Sequence, residues 1–253
     1  MITSPLFGWL AGKELLPKRF HSKDEADNLE VSWAVSVALD EVVPLHEVVK
    51  AKWQSLRKSR ELTASYLSAA DGIIDGLWGG RLDAEERHMV QNELGQPPAF
   101  CMPIYIVTVR TESHEEVVYV GKTISATRFI GGHAAAIKLH APEFSNFSKQ
   151  VYLCSIILHV RDEYVALEWL DSDEVAEGVL DLTESLLIYA LQPRLNSAKR
   201  KRPQGRKPVS IHVQNYAGTG ILDDLILEYS ENDGLSFVPS QKEKFLGLKF
   251  HQY

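Results

Sequence analysis

The chain has 253 residues, 45% hydrophobic and 24% charged, which is ordinary for a globular protein of one large or two small domains. A net charge of −7 argues against a protein that coats nucleic acid without selectivity, and no apolar run approaches the roughly eighteen residues of a membrane span. Cys101 and Cys154 are too few for a disulfide framework and lack metal-ligand spacing, so they read as buried thiols in or beside strands. The N-terminus has no basic-then-apolar signal pattern, which points to the cytoplasm.

In chain order, residues 1–23 read as loop or one short helix. From Asp24 the pattern turns helical: Leu29, Trp33 and Val37 fall at i, i+4 and i+8, and Pro44 breaks or kinks the run. A second helix is expected from Leu45 to about Leu67, with Val48, Val49, Trp53 and Leu56 on one face. Its other face carries Lys50, Lys52, Arg57, Lys58 and Arg60, which reads first as solvated surface. Asp71-Gly72 and Trp78-Gly79-Gly80 are turns. A third helix, Ala84 to Leu94, ends at Gly95, and Gln96-Pro97-Pro98 forms a stiff boundary. An all-helical N-terminal region over 1–96 follows.

Beyond that boundary the period changes to that of strands. Ile104 to Val109 and Val117 to Val120 are β-branched and aromatic runs that form a hairpin. With Thr111-Glu112-Ser113 as a three-residue loop, Tyr105 would face Tyr119. Gly121-Lys122-Thr123 is not a phosphate loop, because Glu116 stands where that motif needs a glycine. A helix from Ser125 to His140 is interrupted at Gly131-Gly132, and Val151 to Val160 is an apolar, central strand. Asp162 to Gly178 is acidic and mostly helical. After Asn196, Val209 to Val213 and Leu222 to Tyr229 read as strand or helix.

The segment Leu182 to Asn196 is the most informative. It reads as an apolar helix with Glu184 in its first turn, ended near Leu191 by Pro193, since proline cannot continue a helix. Asp181 and Glu184 alone suit a capping box, which needs no chemistry. Upstream, however, stand Pro103-Ile104-Tyr105, then Tyr119-Val120-Gly121-Lys122, then Arg128 and His133. This order, completed by Glu184 and by Asn196 twelve residues later, resembles the GIY-YIG nuclease family. Within it, the Glu184 to Asn196 segment is most similar to the incision subunit of bacterial nucleotide excision repair.

The resemblance covers about residues 101 to 197 and implies an α+β domain over 97–198: a small antiparallel three-stranded sheet flanked by helices. It implies a divalent-metal-dependent endonuclease that hydrolyses phosphodiester bonds in DNA. Mg²⁺ or Mn²⁺ would be held by Glu184, the style of site that Mg²⁺ accepts. Arg128 would clamp the scissile phosphate with its planar fork. Tyr105, helped by Lys122 or His133, would take the proton of the attacking water, with Tyr119 orienting it; the identity of the base stays open. Asn196 would hold the Glu184 helix in register. Pro103 replaces the motif's first glycine, and Arg128 precedes His133 by five residues instead of four, which turns them to different faces of a regular helix.

Charge is distributed unevenly around this segment. Residues 161–198 carry nine acidic and two basic side chains, whereas 199–207 carry six basic and none acidic. Lys199, Arg200, Lys201, Arg202, Arg206 and Lys207 read either as a solvated linker or as an arm that contacts nucleic-acid phosphates. They open a C-terminal extension over 199–253. Two alternatives compete with the autonomous enzyme. One is a non-catalytic nucleic-acid-binding or regulatory module. The other is a nuclease subunit that needs a protein partner, or a homodimer, engaged through the helical N-terminal region.

Overall fold

Trp33–Pro44 forms a twelve-residue strand, β1, in the interior of an eight-stranded mixed sheet. The structure is a computed structural model that describes residues 4–16, 33–51, 54–74, 80–112, 114–123, 137–160, 163–170, 172–198, 209–217, 225–230 and 234–238. The other strands are β2 (Ile104–Arg110), β3 (Glu115–Lys122), β4 (Ser148–Val160), β5 (Glu163–Ala166), β6 (Val209–Asn215), β7 (Leu225–Ser230) and β8 (Gly234–Val238). They lie in the order β3-β2-β4-β1-β6-β7-β8. β2 and β5 occupy successive stretches of the same side of β4. Among the described strands only β1 and β6 pair in parallel.

This architecture overturns two expectations. The N-terminal region is not all-helical, because β1, over Trp33–Pro44, takes the second part of the stretch read as a helix from Asp24 to Pro44, whose first residues, 24–32, lie outside the described residues. Nor is the sheet a small three-stranded one; the expected three strands are present, as β2, β3 and β4, within a much larger sheet. The misreading of β1 has a local cause. A spacing of four residues is a multiple of two, so Trp33 and Val37 satisfy strand alternation as well as a helical face. Val35, Val37 and Leu39 all point into the core, while Ser36 and Ala38 between them are also buried. Burial on both faces is what a central strand requires.

β1 contains a bulge. Leu39 pairs with Cys154 and Glu41 with Leu153, so Asp40 is the extra residue. The bulge reverses the alternation: Leu39 and Val42 pack on one face of the sheet and Val43 on the other. The Asp40 carboxylate accepts the Ser155 N–H at 2.9 Å, and burial raises its pKa against the lowering effect of that bond.

Helices α1 (Phe7–Leu10), α2 (Leu56–Asp71), α3 (Ala84–Leu94) and α4 (Asp173–Leu191) contribute to the larger core on one face. On the other face a smaller core joins Tyr105, Val107, Val151 and Leu153 to Val48, Leu139 and Phe144. The expected helix from Leu45 to Leu67 is instead a 3-10 turn over Leu45–Lys50 followed by α2, whose N-cap is Ser55. Its basic face is not continuous. Arg57 and Lys58 share Glu61, whereas Arg60 reaches across to Asp173 and the Leu170 carbonyl. α3 has the expected bounds, with a capping box between Asp83 and Glu86 and Gly95 at φ 72°. β6 and β7 settle the C-terminal segments as strands. Among the described residues no helix is long and apolar enough to cross a membrane.

One buried carboxyl fastens α2 to the sheet. Glu168 lies in a 3-10 turn over Leu167–Trp169, and its Oε1 accepts the Cys101 N–H at 2.6 Å and the Ser59 hydroxyl at 2.9 Å. The Ser59 oxygen is also 3.0 Å from the Ala99 carbonyl. One hydroxyl proton cannot serve both acceptors, whereas a protonated Glu168 could itself donate to Ser59. Desolvation raises the pKa of Glu168, more than these hydrogen bonds lower it. A raised folded-state pKa contributes stability that is complete below the ordinary value of 4.5 and is lost as pH rises through the folded-state value. Urea titrations at about pH 5 and pH 7.5 should therefore show wild type losing stability relative to Glu168→Gln as pH rises. A pH-independent difference between the two would rule this out.

Candidate functional site

The β2–β3 hairpin places the tyrosines. Its loop has four residues, Thr111 to His114, closed by Arg110 against Glu115, with the Thr111 N–H donating to the His114 carbonyl at 2.8 Å. A second offset lies between Val107 and Thr108, whose partners Tyr119 and Val117 leave Val118 as the extra residue. Together these shift the register by two, so Tyr105 faces Gly121 and not Tyr119, as the three-residue loop had implied. The two phenols still share a face, on the diagonal, with ring centroids 6.0 Å apart and planes 26° from parallel.

Gly121 is the close approach that permits this. A Cβ there would overlap the Tyr105 hydroxyl and its ring carbon, and would stand 2.8 Å from Tyr119 Cε1. Tyr105 is wholly buried and Tyr119 half-buried, so of the two it is Tyr119 that meets solvent.

Lys122 belongs to the opposite side of the strand. Its Nζ is 3.0 Å from Asp181 Oδ1 on α4, and its backbone N–H donates to Glu184 Oε1 at 3.1 Å. Side chains alternate along β3, with Tyr119 in the smaller core and Val120 in the larger. Lys122 therefore follows Val120 toward α4 and is not brought beside Tyr105.

α4 begins at Asp173, capped by Ser172, and so Glu184 stands well inside a nineteen-residue helix. The reading of Asp181 as an N-cap with Glu184 in the first turn is thereby corrected: the helix starts earlier, in the stretch Asp162 to Gly178, whose first part forms β5 and the turn of Glu168. Its end is where Pro193 puts it. Leu191 is the last helical residue and Gln192 adopts a left-handed conformation at φ 47°, an uncommon one for a residue other than glycine.

The turn beyond Gln192 returns the chain to the outer edge of β3. The Leu195 N–H donates to the Val118 carbonyl at 2.9 Å. Asn196, buried, pairs its side-chain amide with both backbone groups of Val120, accepting the N–H at 2.9 Å and donating to the carbonyl at 2.8 Å. With Glu184 on the Lys122 N–H, three residues beyond the sheet saturate four consecutive outward-facing groups of an edge strand. Arg194, between them, lies 4.4 Å over the Phe144 ring and pairs with Glu116 at 3.3 Å.

Tyr105, Tyr119, Glu184 and Asn196 thus gather around Gly121 and Lys122, on two sides of one strand end. Arg128, His133 and the basic run of Lys199, Arg200, Lys201, Arg202, Arg206 and Lys207 lie outside the described residues. Asp181 had a sequence signal only as a cap; what marks it out further is that it is a carboxylate three residues before Glu184, on the same helix side. Among the described residues no three His, Cys, Asp or Glu side chains cluster as metal ligands. Glu184 with Asp181 one turn away nonetheless offers the hard oxygen donors that Mg²⁺ takes one or two at a time. Cys101 and Cys154 are free thiols, both buried, their pKa values pushed well up by desolvation, which leaves them unreactive. Comparison with protein-family models, curated proteins and solved structures gave no match.

Two substitutions test this packing. Gly121→Ala should cost about 1–3 kcal/mol in urea unfolding with an unchanged denaturant slope, because the buried Tyr105 ring has nowhere to retreat. Asn196→Asp should cost about 1–3 kcal/mol by placing an acceptor against the Val120 carbonyl. Wild-type unfolding midpoints in either would contradict the contacts described.

Proposed function

We propose that the chain is a divalent-metal-dependent endonuclease of the GIY-YIG type acting on DNA. The observation that carries this reading is the meeting of the Tyr105 hydroxyl with Gly121 and of the Glu184 carboxylate with the next residue, Lys122. Glu184 would hold Mg²⁺, which supplies positive charge to the phosphate oxygens during displacement. Tyr119, the phenol that meets solvent, would orient the attacking water and, as phenolate, accept its proton. Tyr105, stacked behind it, would fix the ring. Asn196 would keep α4 in register with β3, so that the Glu184 carboxylate does not drift from the strand end. Arg128 would clamp the phosphate, as the resemblance implies.

A second reading has its own observation. Glu184 and Asn196 both close the edge of β3, a task that explains them without any chemistry. On that reading the chain is a non-catalytic module that binds nucleic acid or regulates a partner.

Glu184→Gln separates the two readings, since an amide oxygen still accepts the Lys122 N–H but carries no charge. Supercoiled, branched and single-stranded DNA and RNA serve as substrates, with Mg²⁺. The enzyme reading expects cleavage by wild type, none by Glu184→Gln, and equal unfolding temperatures for both. Tyr119→Phe should reduce turnover by about 10²–10⁴-fold, the contribution of a positioned proton acceptor. Wild-type turnover in Glu184→Gln would defeat the assignment, and no cleavage by wild type of any substrate would favour the non-catalytic module.

The basic run has a separate test. Changing Lys199, Arg200, Lys201 and Arg202 to Gln should weaken DNA binding on all sequences alike. It should flatten the slope of log affinity against log salt by about 0.7 to 0.9 for each phosphate no longer neutralised. An unchanged slope would make the run a linker.

A further inference from the structure

Arg194 stands on the Tyr119 face of β3. The bulge at Val118 sets Glu116 opposite Val109 and Tyr119 opposite Val107, so the two are successive positions of one face, about 7 Å apart along the strand. Both are partly exposed between buried neighbours. Arg194 Nε is 3.3 Å from Glu116 Oε1, and Arg194 Cζ lies 4.4 Å from the centroid of the Phe144 ring. That ring is itself immobilised, wholly buried in the smaller core with Tyr105 and Val118. The guanidinium is therefore held from two directions, by a carboxylate at Nε and by an aromatic ring under its face. Yet the side chain is 41% exposed, and among the described residues its two terminal nitrogens have no hydrogen-bond partner. An ion pair with Glu116 alone would need only a point charge. A guanidinium anchored by its face and by Nε presents a fixed two-pronged donor, and the planar anion that such a fork matches is a carboxylate or a phosphate.

We propose that Arg194 is a substrate-binding residue: its terminal nitrogens grip a backbone phosphate of the DNA strand, one position along the outer edge of β3 from Tyr119. The inference rests on the reading that the chain acts on DNA. It also gives the bound strand a direction, along the β3 edge from the Gly121 end toward Glu116 and over Phe144. Holding the arginine in place beforehand reduces the side-chain entropy lost when the phosphate arrives.

The test is fluorescence-anisotropy binding of a fluorescein-labelled DNA duplex of mixed sequence to the full chain, in EDTA so that no cleavage intervenes, over a series of salt concentrations. Arg194→Gln should flatten the slope of log affinity against log salt by about 0.9, the share of one duplex phosphate. Arg194→Lys keeps the charge and should retain the slope while binding more weakly, because an ammonium has no fork. Arg57→Gln removes an equal charge from the exposed Arg57–Glu61 pair on α2 and should leave the slope unchanged. Thermal unfolding of each variant reports separately on the packing against Phe144. An unchanged slope in folded Arg194→Gln would make Arg194 a structural tie and overturn the proposal. Equal flattening by Arg57→Gln would reduce the effect to net charge and overturn it too. If Arg194→Gln does not fold, Arg194→Lys decides, and wild-type affinity in that variant would sink the idea. A wild-type chain that binds no DNA would remove the DNA reading and this proposal together, whereas DNA binding by wild type with no change on substituting Arg194 would remove only the proposal.

Discussion

The outer edge of β3 is the constraint on which the candidate site depends. An edge strand presents backbone donors and acceptors that must find partners or remain open to another chain. Here no further strand continues the sheet among the described residues. The Val118 carbonyl, both groups of Val120 and the Lys122 N–H are met by Leu195, Asn196 and Glu184. The Asn196 amide imitates a peptide group, offering one acceptor and one donor to a single residue of the strand. Because these partners come from α4 and the turn that follows it, closing the edge also fixes where the Glu184 carboxylate stands relative to Tyr105 and Tyr119.

The turn that makes this closure is tight and specific. α4 must stop so that Leu195 can return to β3 four residues later, and Pro193 ensures that it stops. Gln192 takes the left-handed conformation at the end, and its side-chain amide donates to the Tyr189 carbonyl at 2.6 Å, covering one of the helix's unsatisfied acceptors. On the other side of the hairpin, Gly121 lets two aromatic rings lie against the strand. The same few residues thus set both the strand's edge and its face.

Much of the site was legible in the sequence, and for local reasons. Proline ends a helix wherever it falls, so the end of α4 at Leu191 could be read directly, as could the glycine stop of α3 at Gly95. Strands β2, β3 and β4 announced themselves by β-branched residues. What could not be read was long-range. β1 was misassigned because Trp33 and Val37 fit two periods, and only pairing with β4 and β6, far away in the chain, decides between them. The Tyr105 register depended on one extra loop residue and one bulge, each invisible to composition. Glu184 looked like a cap because the true N-cap, Ser172, precedes a stretch whose polar residues face solvent while Ala176, Val179 and Leu180 are buried.

The parallel pairing of β1 with β6 has a kinetic consequence. Trp33 pairs with Val209, a separation of 209 − 33 = 176 residues, and the antiparallel partner β4 is itself more than a hundred residues from β1 at every pair. At ordinary rates of synthesis the chain needs roughly 10 to 35 s to advance from one parallel partner to the other. Throughout that interval β1, an apolar strand, has an unclaimed side. Asp40 then has a use before folding as well as after it: a carboxylate in the middle of a waiting strand discourages another nascent chain from pairing along its whole length.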